Sequence, residues 1–115
     1  MAVATIVLLL VGACATALVP SRYKYSGPFV TEEIEFKSDH TFVYHSRSDN
    51  GPSIWDATGS WQQKDRLGRV VETHVQQWHS TPANADPSPL RENEVWTLSS
   101  GIASRSNRIA LQRSH

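Results

Sequence analysis

The sequence predicts an all-β protein, in which an antiparallel meander forms a small barrel, a half-barrel or a sandwich after an N-terminal hydrophobic signal segment. Short stretches of alternating apolar and polar side chains recur along the chain, separated by turn-forming Gly, Asn, Asp and Ser. No helix longer than one turn is evident after residue 20. A chain of 115 residues has room for one modest core and no second domain.

The first two of six expected strands form a hairpin. Residues 33–36 alternate, with Ile34 and Phe36 on one face, as a half-buried strand requires. Residues 41–45 are rich in β-forming side chains and follow a polar turn at residues 37–40. The two segments are therefore expected to pair with each other.

The third expected strand lies within residues 54–61. Period two places Trp55, Ala57, Gly59 and Trp61 on one of its faces. A glycine between two tryptophans indicates a bulge or a close backbone approach that makes room for large rings.

The remaining strands are less regular. Residues 69–78 alternate poorly, and residues 79–93 contain three prolines, so they are expected to form a loop. Strands at residues 94–98 and 108–112 complete the meander. The face of the fourth strand expected to point inward consists of Val71, Thr73, Val75 and Gln77.

An uncharged, mostly apolar run occupies residues 2–19 and is just long enough to span the hydrocarbon core of a bilayer. Small residues surround Cys14, the only cysteine, as at a signal-peptide cleavage site. The segment Val11, Gly12, Ala13 and Cys14 resembles the lipobox of bacterial lipoprotein signals. This resemblance implies lipidation of the Cys14 thiol, with acyl chains such as palmitate holding the domain at a membrane.

The resulting domain division is a lipoprotein signal peptide at residues 1–13, the lipidated cysteine and a tether at 14–28, and the β-domain at 29–115. By analogy with lipoprotein sorting, Ala15 after the cysteine indicates the outer membrane as the location. An uncleaved membrane anchor and a plain secretory signal remain as alternatives, because no basic residue precedes the run while Arg22 follows it.

Residues 36–61 resemble the hairpin and following strand of small lipocalin-like bacterial lipoproteins. The first shared element is Asp39-His40-Thr41-Phe42, with His40 where glycine is usual, and the second is Gly59-Ser60-Trp61. The resemblance implies a calycin-like β-meander and no particular activity.

Charge and cysteine content exclude several function classes. Eleven basic residues balance eleven acidic ones, so no strong field attracts nucleic acid. The single cysteine excludes an intramolecular disulfide. The C-terminal arginines are too sparse to form a nucleic-acid groove, and we expect them on an exposed face: Arg105, Arg108 and Arg113.

Neither a catalytic site nor a metal site nor a cofactor is predicted. The chain has no G-x-S-x-G motif, and its candidate carboxylates alternate with apolar residues as on a solvated face: Asp56, Glu72 and Glu94. Four of the five histidines form two pairs spaced by five residues, which places the members of each pair on opposite faces: His40 with His45, and His74 with His79. Only a cross-strand meeting of His45 with His74 is left open.

The aromatic residues support two interpretations, a packed core or a ligand pocket. The residues expected in either role are Phe36, Phe42, Trp55 and Trp61. The first functional hypothesis is therefore a non-enzymatic, lipid-anchored envelope protein that acts by binding or as a structural module, with its protein partners unspecified. The alternative is a lipocalin-like carrier of a small apolar ligand in an aromatic-lined cavity.

Overall fold

The computed structural model of the chain is an all-β protein in which eight antiparallel strands close into a barrel. It describes residues 21–48, 53–81, 89–106 and 108–114. The strands are β1 (Ser21–Ser26), β2 (Val30–Phe36), β3 (Thr41–Ser48), β4 (Ser53–Gln63), β5 (Val70–Thr81), β6 (Asn93–Ser99), β7 (Ile102–Ser104) and β8 (Leu111–Ser114). Each strand pairs with the next, and β8 returns to pair with β1. The all-β antiparallel prediction is confirmed, and of the three expected architectures the barrel is the one formed.

The barrel has two ends, which we call the base and the mouth. The base is the end where β1 begins and β8 ends, and it carries the turns at residues 37–40, 64–69 and 100–101. The mouth is the opposite end, where β1 and β5 end and β6 begins. Because β1 begins at the base, Ser21 is the residue at which the chain enters the barrel there.

The base half is filled by large side chains from alternate positions of the strands. The Phe36 ring packs edge to face against the rings of Tyr23, Trp61 and Trp96, with centroid separations of 6.0, 6.0 and 6.3 Å. Phe42 is fully buried beside them. Each such side chain stabilises the fold by about 1.5–3 kcal/mol through burial, so this half is a packed core.

The predicted β2–β3 hairpin is confirmed, and its turn covers the base. His40 adopts a φ of 65°, a left-handed conformation that histidine tolerates better than most residues. Its ring stacks on Trp61 at a centroid separation of 4.4 Å, and Trp61 Nε1 donates a hydrogen bond to the carbonyl of Lys37 at 3.0 Å. The side chain that replaces the usual glycine thus contributes packing over the core.

Gly59 marks a β-bulge, as the sequence indicated. A Cβ at this position would lie 1.9 Å from the carbonyl oxygen of His74, so only glycine allows β4 and β5 to approach this closely. Thr58 pairs with Gln77 whereas Gly59 pairs with Val75, which leaves Gln76 as the extra residue of the bulge.

The bulge changes which residues of β5 face inward. Val71 and Thr73 are buried and Val75 is half-buried, as expected. After Gln76 the alternation shifts by one, so Trp78 pairs with the buried Ala57 on the interior face. The expectation that Gln77 points inward was therefore wrong.

The structure has two more strands than the six expected. β1 lies in the segment assigned to the tether and pairs with both β2 and β8, so the barrel begins before the expected boundary at residue 29. β7 is only three residues long, and β8 begins three residues later than the strand expected at 108–112. No helix in the part of the chain described by the structure is long and apolar enough to cross a membrane.

Candidate functional site

The mouth half of the barrel contains a cavity of about 440 Å³. β5 pairs with β6 only from Val70 to His74, because β6 begins at Asn93. Next to that pairing, the amide of Val75 donates to the carbonyl of Glu92 at 2.8 Å. Among the described residues, β5 therefore extends beyond its pairing with β6 on the side of the mouth.

The cavity lining combines aromatic, aliphatic and polar side chains. The aromatic members are Tyr44, Trp55 and Trp78, the aliphatic members are Ala57, Val75 and Leu90, and the polar members are Gln76 and Glu92. A mainly apolar lining with few polar groups is typical of sites for small molecules, which usually measure about 300–1,000 Å³.

A stacked pair of indole rings forms one wall of this cavity. The rings of Trp55 and Trp78 lie 4.9 Å apart between centroids, with an interplanar angle of 20°. Trp55 is half-buried, but Trp78 keeps 59% of its surface exposed. This pair therefore presents a large aromatic surface that a bound molecule could cover.

Next to the cavity is a buried ionic cluster formed by Glu32, Glu94 and Arg105. The Arg105 guanidinium pairs with Glu32 through Nη2 and lies 3.5 Å from Glu94 through Nη1. Nη1 also donates to the carbonyl of Pro89 at 2.8 Å. The guanidinium carbon sits 4.6 Å from the centroid of the Trp96 ring, which adds a cation–π contact. All three charged residues are at least nine-tenths buried.

Tyr44 connects the cluster to the cavity. Its ring lines the cavity and its hydroxyl donates a hydrogen bond to Glu32. Burial raises the pKa of Tyr44 well above its ordinary value, and the negative charge of Glu32 raises it further. The phenol consequently stays neutral and acts as a donor at physiological pH.

The formal charges of the ionic cluster do not balance. Two carboxyl groups share one guanidinium, so the formal charges sum to one excess negative charge. Burying charges costs free energy unless they are paired and hydrogen-bonded, and Nε of Arg105 has no hydrogen-bond partner within the described ranges. The mouth half is therefore polar and charged beneath its aromatic wall, unlike the base half.

The four aromatic residues expected as core or pocket divide between the two halves. Phe36, Phe42 and Trp61 belong to the packed base, whereas Trp55 lines the mouth cavity. Cys14, the expected lipidation site, lies outside the described residues.

The ionic cluster corrects two expectations about charged residues. Arg105 was expected on an exposed face and is buried, and Glu94 was expected on a solvated face and points inward. Glu94 has the same parity as the buried Trp96 and Leu98, just as Glu32 shares the face of Ile34 and Phe36, so strand periodicity carried the signal for both carboxylates.

The four histidines that the structure describes lie outside the cavity lining: His40, His45, His74 and His79. Nδ1 of His45 and Oδ1 of Asp56 are 2.5 Å apart, while His74 pairs in register with Ser60 and Asn93. His45 and His74 therefore do not meet. Among the residues that the structure describes, no group of three or more His, Cys, Asp or Glu side chains could hold a metal ion.

The three carboxylates considered as a catalytic set also do not converge. Asp56 lies beside His45 on the outer face, and Glu72 is 3.8 Å from Lys64, whereas Glu94 is inside the barrel.

Comparison of the chain with protein-family models, with curated proteins and with solved structures found no match.

Proposed function

We propose that this chain is a non-enzymatic binding protein of the cell envelope, and that the mouth of its barrel holds a small, largely apolar molecule. The observation that carries the proposal is the exposed Trp55–Trp78 stack on the wall of a 440 Å³ cavity. Aromatic rings packed in the base stabilise the fold, but the surface of Trp78 that remains exposed contributes little to it. Covering that surface with an apolar ligand would provide binding free energy.

The cavity lining suits binding more than bond-breaking. Its aliphatic members, such as Val75 and Leu90, offer contact surface, and its stacked indoles offer a flat aromatic wall. Catalysis would require a nucleophile or an acid–base pair that meets a reacting atom. The polar side chains of the described lining are Gln76, Glu92 and the hydroxyl of Tyr44. The Tyr44 hydroxyl already donates a hydrogen bond to Glu32. The eight-stranded barrel agrees with the lipocalin-like resemblance of residues 36–61, which stays a prediction.

The position of the mouth suits a protein anchored through Cys14. β1 starts at Ser21 on the base, seven residues after Cys14, and a chain of that length spans roughly 25 Å at most. A lipid anchor at Cys14 would hold the base near the outer membrane and leave the mouth facing away from it. In this arrangement the cavity stays open to ligand from the aqueous side.

Ligand binding is tested with the neutral fluorescent probe N-phenyl-1-naphthylamine. The full chain is held in phosphatidylcholine nanodiscs, and the signal of empty nanodiscs is subtracted. We expect saturable binding, weakened about tenfold or more by Trp78→Ala, because the variant removes half of the indole wall. The matched control is Val95→Ala, an exposed apolar residue of β6 outside the cavity lining. Absence of saturable binding, or equal weakening by the two variants, would refute the proposed site.

The anchor is tested separately by metabolic labelling with an alkyne analogue of palmitate. We expect the native chain to be labelled and Cys14→Ser to lose the label, because the acylated thiol is removed. Equal labelling of both chains would contradict the lipoprotein proposal without affecting the proposed ligand site.

A further inference from the structure

The charged groups around the mouth cavity are mostly acidic. Glu92 is part of the cavity lining, and Glu32 and Glu94 lie behind Tyr44 with Arg105 between them. Of the described residues that line the cavity or belong to the ionic cluster, three carry carboxylates and one carries a guanidinium. In the low dielectric of a partly enclosed cavity, this excess negative charge acts on a ligand more strongly than it would in water.

The guanidinium of Arg105 is already engaged by protein groups. Nη2 pairs with Glu32, while Nη1 donates to the carbonyl of Pro89 at 2.8 Å and lies 3.5 Å from Glu94. A carboxylate or phosphate ligand would have to displace these buried partners before it could bind Arg105. An anionic head group is therefore disfavoured at this site.

The aromatic wall favours the opposite charge. Indole rings are the best cation–π partners among protein side chains, and Trp55 and Trp78 form a stacked pair with much of Trp78 open to solvent. Tyr44 also borders this cavity, but its side chain is almost completely buried, so the two indoles provide most of the accessible aromatic surface. An organic cation could contact these rings while its apolar body packs against Ala57, Val75 and Leu90.

We propose that the ligand of the mouth cavity is an organic ammonium ion, with one positively charged nitrogen and an apolar body. This inference rests on the proposed function, since it specifies the charge of the molecule that the cavity binds. The indole stack provides contact with the cation, and the uncompensated carboxylates favour its charge.

The test uses three probes of similar size that differ in charge: 2-phenylethylammonium, 2-phenylethanol and 3-phenylpropanoate. Their dissociation constants are measured by calorimetry with the full chain in phosphatidylcholine nanodiscs, whose lipid carries no net charge. We expect the ammonium ion to bind about tenfold more tightly than the alcohol, and the carboxylate to bind most weakly.

Two variants, each removing one carboxylate, distinguish an effect of charge at the cavity from an effect of overall charge. Glu92→Gln removes a carboxylate from the cavity lining, whereas Glu33→Gln removes one from β2, opposite His45 on the outer face. We expect Glu92→Gln to reduce the preference for ammonium over alcohol about threefold or more, and Glu33→Gln to leave it unchanged. Because Glu92 is exposed, the variant is expected to fold normally, which circular dichroism checks.

The outcomes separate this inference from the proposed function. If N-phenyl-1-naphthylamine binds but the alcohol or the carboxylate binds as tightly as the ammonium ion, the charge inference is wrong and the cavity remains a binding site. If Glu33→Gln and Glu92→Gln change the preference equally, the effect comes from overall charge and the inference is also wrong. Absence of saturable binding of N-phenyl-1-naphthylamine would overturn both.

Discussion

The base and the mouth of the barrel place the same kinds of side chain in different surroundings. At the base, Phe36, Trp61 and Trp96 pack edge to face and are almost completely buried. At the mouth, Trp55 and Trp78 stack on each other beside an open cavity. The difference accompanies strand pairing, since β6 begins at Asn93 and pairs with β5 only from Val70 to His74.

The two ends of the barrel also differ in their buried polar and charged groups. The base contains the edge-to-face ring cluster, and the polar atom of Trp61 is satisfied by a backbone carbonyl at 3.0 Å. Next to the mouth cavity, Arg105 and two carboxylates form a buried network with unbalanced charge. A protein interior normally satisfies or excludes such groups, so the charge imbalance sets the surroundings of the cavity apart from the packed base.

The largest difference in stability between the two ends is expected when one tryptophan at each end is truncated. Trp61→Ala should destabilise the protein by about 3–5 kcal/mol, because it leaves a cavity in a fully packed region. Trp78→Ala should cost less than about 1 kcal/mol, because most of its ring is already exposed. Urea denaturation of both variants measures the difference, and similar losses of stability would show that the mouth is packed like the base.

A second prediction concerns the ionic cluster. Arg105→Ala should destabilise the fold by about 3 kcal/mol, since it leaves Glu32 and Glu94 buried without a counter-charge. The matched control is Arg66→Ala, an exposed arginine in the turn between β4 and β5, which should change stability by less than about 0.5 kcal/mol. If chemical denaturation gives the same small effect for both, the cluster is not a structural element of the barrel.

The smallest effect is expected from titration of Tyr44. Its pKa is higher in the folded than in the unfolded protein, so the folded state retains the phenol proton where the unfolded state loses it. The associated stability is complete below the ordinary tyrosine pKa of 10.0 and falls as pH rises above it, by at most about 1.4 kcal/mol per pH unit.

Tyr44→Phe removes this contribution, so its stability should decline less steeply between pH 10 and pH 11 than that of the native chain. Val43→Ala, which changes an exposed apolar residue beside Tyr44 and removes no titrating group, serves as the control and should keep the native slope. Parallel alkaline stability curves for native and Tyr44→Phe chains would contradict the role of Tyr44 as a buried neutral donor.

The sequence was informative where periodicity continues over a whole strand. The β2–β3 hairpin and the inward face of β4 follow directly from alternation, and the bulge follows from a glycine between two tryptophans. Glu32 lies on the same alternating face as Ile34, so its burial could have been predicted from the pattern. The left-handed φ of His40 likewise agrees with its place in a tight turn.

Periodicity was uninformative where pairing over long distances decides the result. Arg105 pairs with Glu32, which lies 73 residues earlier in the chain. Nothing in the local sequence of either residue indicates the other. The inward orientation of Trp78 depends on one inserted residue, Gln76, which reverses the alternation of everything after it. β7 has only three residues, too few to show a period.

The closing pair of strands has a consequence for how the barrel folds. All other neighbouring strands are consecutive in the chain and can form as local hairpins or short connections, but Arg22 of β1 pairs with Ser114 of β8, from the opposite part of the sequence. Closing so long a loop carries the largest entropic cost of any contact in the sheet. While the chain folds, β1 would therefore have one edge unpaired until β8 arrives, which makes closure the slow step and that edge a site for aggregation.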